Sequence, residues 1–210
     1  MEGNSFKKIE GLTQLTQLRC LYLQENMICR IEGLETLTGL ANLNLSDNLI
    51  EKVEGLSTLT NLSNLQLKRN RIGGAGLPDV VGLLECPSIS ALDISDNKIE
   101  TEEFLPEILE KMPKIAVAYL QNNEFTKKIS HYRKTIISHI PTIKYIDDRP
   151  VFEDELRFSL AWAKGGLEAE RQERAAYKRE KEEEQIRQHE QFRAMIDRFK
   201  EEGRRERERA

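Results

Sequence analysis

The chain has 210 residues, 39% hydrophobic and 32% charged, with a net charge of −4. The acidic balance excludes nucleic acid and an anionic membrane surface as main partners, because phosphate binding needs a clustered positive field. No stretch reaches the ~20 apolar residues that span a bilayer, and MEGNSFKKIEGL at the start lacks the apolar core of a secretory signal.

Asn4, Phe6, Ile9 and Leu12 match the second half of a repeat whose complete form begins at Leu18. The sequence thus starts just after the place of a strand, with no polar cap. A bare solenoid end exposes a strand edge and apolar side chains. A fragment, a truncated product, or a chain that borrows a neighbour to cover this end is expected.

Leu18, Leu21, Leu23, Asn26, Ile28, Ile31 and Leu34 form LxxLxLxxNxIxxIxxL. The pattern returns from Leu40 and from Leu62, and in weaker copies from Ile89 and Ile115. The repeated asparagines, Asn26, Asn48, Asn70, Asn97 and Asn123, are 22, 22, 27 and 26 residues apart. In each copy LxL is a short strand with its two leucines inward and the residue between them outward. The asparagine follows where the chain turns, and its amide is placed to bond the backbone of the neighbouring coil. One coil cannot bury its own apolar face, so coils must stack. The fold class is an α/β solenoid with a parallel sheet on its concave face.

The 22-residue repeats have room only for extended or 3₁₀ return segments. The longer ones have room for helix. Residues 101–112 carry Phe104, Leu105, Ile108, Leu109 and Met112 at helical spacing, with Thr101 as N-cap and Pro113 closing the segment. RIGGAGLP, with Gly73, Gly74 and Gly76, is similar to a phosphate loop but lacks GK[ST], and reads as a loop in a lengthened repeat.

Residues 126–150 close the other end. Tyr132, Ile136, Ile137 and Ile140 give one segment an apolar face that folds over the last coil, Pro141 ends it, and Ile143, Tyr145 and Ile146 run on as a last strand. The YRxxII…IPxIxYID arrangement resembles the cap of the SDS22-like class. Asp147, Asp148 and Arg149 stand before Pro150, where Asp-rich turns serve backbone bonding, with a partner contact as the other reading. Trp162, with Phe152, Phe158 and Leu160, is expected to pack on the cap. The domains follow: repeats over 1–125, cap over 126–165, charged helical tail over 166–210.

DDRPVF, followed by AWAKGGLEAE, joins the repeats and the charged tail in resembling the dynein axonemal assembly factor 1 family. The resemblance implies a cytoplasmic protein that helps assemble axonemal dynein arms, binding dynein subunits or co-chaperones, with the cilium or flagellum as a second location. The chain is shorter than that family at both ends. A phosphatase-1 regulatory subunit of SDS22 type and a structural axonemal repeat protein stay open beside it.

From 167 to 210 there are 13 basic and 13 acidic residues, many at i,i+4 spacing. A helix there is mostly a solvated charged rod without a sustained heptad. Phe192, Met195, Ile196 and Phe199 form one apolar stripe at i, i+3, i+4 and i+7, a candidate docking site.

The concave face carries the main candidate site. Tyr22, Asn44, Gln66, Asp93 and Tyr119 are the outward residues of the five LxL copies, flanked by Lys68 and Arg69. This polar face, with a tyrosine at each edge as anchor, suits a peptide or helix of a protein partner. His131, His139 and His189 are scattered, no Ser/His/Asp context appears, and no cysteine has metal spacing. The chain is expected to be no enzyme and to take no metal, cofactor or small-molecule substrate. Cys20, Cys29 and Cys86 read as three reduced thiols of a cytosolic protein.

Overall fold

The computed structural model describes residues 3–209, with side chains as far as residue 205. These form two units, one ending at Ser159 and one beginning at Leu160.

The first unit is a stack of coils built on short strands. Five of them, β1 (Cys20–Tyr22), β2 (Asn42–Asn44), β3 (Asn64–Gln66), β4 (Ala91–Asp93) and β5 (Val117–Tyr119), pair in parallel and in sequence order. Leu21, Leu43, Leu65, Leu92 and Ala118 lie opposite one another in register. Each is buried, while the strand residues on either side are exposed in β1 and half-buried in β2 to β5. After each strand one residue takes a left-handed conformation: Glu25, Asp47, Arg69, Asp96 and Asn122, with φ between 52° and 61°. The turn hands the chain to the asparagine, which points back into the stack.

Asn70 shows what the asparagines do. Its Oδ1 accepts from the Ile50 N–H at 3.0 Å, in the coil before, and its Nδ2 donates to Leu45 O and Leu67 O at 3.0 Å each. Asn48, Asn97 and Asn123 repeat this bridge between coils. Buried backbone groups at the turn, which have no strand partner, are satisfied this way.

The 22-residue return segments are turns, while the lengthened third repeat carries 3₁₀ helices at Leu77–Asp79 and Val81–Glu85. Its glycine loop is closed from within, since the Ala75 N–H donates to Asp79 Oδ2 at 2.7 Å. Residues 101–112 depart from the expected single helix. They form α1 (Phe104–Glu107) and a separate 3₁₀ turn at Leu109–Lys111. Pro106 lies in the first turn, where a missing N–H costs no helical bond, and the helix stops at Ile108, whose φ of −118° leaves helical geometry. Thr101 is not the cap: the N-cap is Glu103, without a side-chain cap bond, and the Thr101 hydroxyl donates to the Glu103 carboxylate.

Two short helices, α2 (Glu124–Lys128) and α3 (Tyr132–His139), follow β5. Ile136, Ile137 and Ile140 are buried in the same core as the repeats. The chain returns as β6 (Tyr145–Ile146), parallel to β5, and β7 (Arg149–Pro150), antiparallel to β6. The helix α4 (Glu153–Arg209) has non-helical dihedrals at Gly165 and Gly166, where φ is −148° and 66°. A glycine pair supplies the conformational freedom for such a break. In the second unit, ion pairs at i,i+4 and i,i+3 run along the helix, among them Arg174–Glu170 and Lys181–Glu184. No helix among the described residues is long and apolar enough to cross a membrane.

Candidate protein-binding surface

The parallel register places Tyr22, Asn44, Gln66, Asp93 and Tyr119 in one row on the outer face of the sheet. Tyr22 is exposed and the other four are half-buried. Tyr22 stands on the edge strand. Tyr119, read from sequence as the opposite edge, is an interior position, because β6 continues the sheet beyond it. Its ring lies 5.8 Å from that of Tyr145, at an interplanar angle of 49°. Burial, then Tyr145 and Asp93, push the Tyr119 hydroxyl above the usual tyrosine value.

The charges beside this row are largely spent on one another. The Arg69 guanidinium donates to both carboxylate oxygens of Asp47, with Nη2 to Oδ2 at 2.9 Å. Lys68 Nζ is 3.7 Å from Asp96, whose other oxygen accepts from Asn122 Nδ2 at 2.7 Å. Lys68 and Arg69 therefore offer little net positive field, and such exposed pairs add little to stability. Asp93 is different. Its Oδ1 accepts from the Ser95 N–H at 3.0 Å and the Ser95 hydroxyl at 2.6 Å, and it has no basic partner among the described residues.

Asp147, Asp148, Arg149 and Pro150 divide. Asp147 is structural in its contacts: Oδ1 accepts from the N–H groups of Leu120 and Gln121, and Oδ2 from the Tyr132 hydroxyl at 3.1 Å. Asp148 is exposed, and so are Arg149 and Pro150 in β7. Arg133 is the residue that sequence reasoning missed here. It grips both oxygens of Glu155 at 2.6 and 2.8 Å and donates to Ile146 O and Pro150 O, tying α3 to β6, β7 and the start of α4. Phe158 is buried, whereas Phe152, expected on the cap, is 65% exposed. Trp162 is half-buried in the second unit.

On the tail, Phe192, Met195 and Phe199 are exposed and Ile196 half-buried, all on one helix face. Tyr145 was legible only as part of a last strand. Its signal is the spacing of Ile143 and Ile146, three residues apart like Ile115 and Ala118 in the coil before. Among the described residues no cluster of three or more His, Cys, Asp or Glu could hold a metal ion.

Stacked coils, inward leucines, an asparagine ladder and a capped end define the class: the chain is a leucine-rich-repeat solenoid. Solved structures agree on the fold. The Drosophila melanogaster SNF/U2A′ complex contains a chain that matches with a TM-score of 0.61 at 24% identity, covering 80% of this chain and 93% of that one. The functional domain of InlJ from Listeria monocytogenes matches with a TM-score of 0.52 at 16% identity, covering 74% and 32%.

In sequence the chain is similar to dynein axonemal assembly factor 1, as DDRPVF and AWAKGG suggested. The human protein of that name is 39% identical over 130 residues, 62% of this chain and 18% of that protein. The leucine-rich repeat-containing protein ODA7 of Chlamydomonas reinhardtii is 39% identical over 114 residues, 54% of this chain and 26% of that protein. The matched region thus spans about a quarter or less of these curated relatives. No protein-family model matches the chain.

Proposed function

We propose that this chain is a non-enzymatic adaptor in the assembly of axonemal dynein arms. It binds dynein subunits or co-chaperones in the cytoplasm, before their delivery to the cilium or flagellum. The supporting observation is the 39% identity to human dynein axonemal assembly factor 1 and to ODA7. The working parts are the repeats over 1–125, whose concave face docks the partner, the cap over 126–165 and the tail over 166–210. A half-buried polar row with a tyrosine pair has the mixed character of a protein-binding surface. The stripe of Phe192, Met195, Ile196 and Phe199 is a second contact.

The test is affinity purification of the full chain from the cytosol of ciliated cells, read by mass spectrometry. Wild type is compared with Tyr22→Ala/Tyr119→Ala. Recovery of dynein heavy or intermediate chains, lost in the double variant, is the expected result. Recovery of phosphatase catalytic subunit instead, or of tubulin and axonemal proteins alone, overturns the proposal.

A further inference from the structure

If the concave face docks a protein, its C-terminal half specifies part of what that protein must present. Asp93 is the one charged side chain in the outward row. Ser95 occupies only its Oδ1, and among the described residues Oδ2 has no hydrogen-bond partner. The nearby cations face other carboxylates, Lys68 pairing with Asp96 and Arg69 with Asp47. Tyr119 is its register partner on the adjacent strand, and the Tyr145 ring lies 5.8 Å beyond. Neither tyrosine hydroxyl has a partner among the described residues. Ala91 and Val117, on the same face, are too small to cover the rings.

We propose that Asp93, Tyr119 and Tyr145 form a subsite for an arginine side chain of the docked partner; this rests on the adaptor reading above. A half-buried carboxylate with a free oxygen attracts a cation, and a tyrosine ring beside it offers a negative π face. The guanidinium meets both demands. It is planar, so it stacks on the ring, and its fork donates to a carboxylate and to a hydroxyl at once. An ammonium is a strongly hydrated point charge and uses the ring less well. A metal ion would find one carboxylate where it needs several oxygen ligands.

The experiment is an NMR titration of the full ¹⁵N-labelled chain with Nα-acetyl-arginine-N-methylamide, and with the lysine and citrulline analogues as controls. Saturable shifts at the amides of Asp93, Tyr119 and Tyr145 are expected for arginine, with binding about tenfold weaker for either control. Asp93→Asn keeps the acceptor for Ser95 and so keeps the fold, and it weakens arginine binding about tenfold. Citrulline or lysine binding as tightly, unchanged binding to Asp93→Asn, or no saturable shift overturns the subsite. The same Asp93→Asn chain goes into the capture experiment. Dynein subunits retained by Asp93→Asn but lost by Tyr22→Ala/Tyr119→Ala overturn the subsite and leave the concave-face reading standing. Wild type that captures no dynein subunit sinks the adaptor reading, and the titration then decides the subsite alone.

Discussion

The carboxylate of Asp147 accepts the backbone N–H of Leu120 at 2.8 Å. In the earlier coils the equivalent N–H groups, of Leu23, Leu45, Leu67 and Ile94, donate to a carbonyl of the next strand. Asp147 supplies a side-chain oxygen where the shortened β6 has no carbonyl to offer. It also accepts from Gln121 and from the half-buried Tyr132, so one residue closes the sheet and anchors the cap. Asp147→Ala leaves three donors unsatisfied and is expected to cost about 3 kcal/mol. Asp147→Asn keeps an acceptor oxygen and costs about 1 kcal/mol. Urea denaturation of both variants measures this; equal losses would mean that the carboxylate is not the acceptor that matters.

Asn70 links one backbone N–H and three carbonyls of two coils. Asn70→Asp is nearly isosteric but turns a donor into an acceptor facing Leu45 O and Leu67 O. We expect it to cost at least as much as Asn70→Ala, about 2–4 kcal/mol, because the carboxylate oxygen that replaces the amide nitrogen faces carbonyls with no compensating bond. Thermal unfolding at neutral pH distinguishes the two. An Asp variant close to wild type would show that the amide donors carry no weight.

Gly11 and Gly33 occupy the same repeat position with the same left-handed backbone, φ 75° and 71°. Only Gly33 is covered: a Cβ there would stand 2.4 Å from Ile9 O, while at Gly11 nothing lies within 4 Å. Gly33→Ala therefore carries conformational strain plus a backbone clash, about 3 kcal/mol. Gly11→Ala carries the strain alone, about 1 kcal/mol. A ranking in the opposite order, read from urea midpoints, would refute the close coil approach.

Phe192 and Phe199 are 56% and 65% exposed. Phe192→Ser/Phe199→Ser should leave the unfolding of the repeats within about 0.5 kcal/mol of wild type, since surface changes that break no contact cost little. The same variant should reduce capture of partners if the stripe docks. A drop in the stability of the isolated full chain would reassign the stripe to folding.

The repeat was legible because its side chains answer to a fixed geometry. Leu21, Leu43 and Leu65 recur where a coil must face inward, and each asparagine recurs where a turn needs a donor and an acceptor together. What escaped depends on longer-range placement. Tyr145 reaches Tyr119 only because α3 folds over the stack and returns β6 in register, and no local pattern reports that. The 101–112 segment has helical apolar spacing, yet the chain leaves helical geometry at Ile108, which that spacing does not report. Asp147 was legible as a turn residue, but not as the stand-in for a strand carbonyl.

Cys86 and Tyr132 set most of the behaviour at high pH, with Tyr119, whose hydroxyl is also raised, adding to the tyrosine limb. Cys86 fills a core position and its thiol donates to Leu56 O at 3.2 Å, while burial pushes its pKa up to about 11. Burial, then the Asp147 carboxylate, pushes the Tyr132 hydroxyl far above its usual value. Each native group keeps its proton to a higher pH than the unfolded chain does. Above the unfolded pKa the unfolded state has lost a proton that the native state retains, so rising pH favours unfolding. The slope is about 1.4 kcal/mol per pH unit for each group. Stability is full below the unfolded cysteine value of ~8.5, falls by one proton's slope up to ~10, and falls more steeply once unfolded tyrosine ionises. Urea midpoints from neutral pH upward should show both limbs. Cys86→Ala lowers overall stability through its cavity but flattens the first limb, and Tyr132→Phe flattens the second. Slopes that survive both substitutions would place the alkaline loss in other groups.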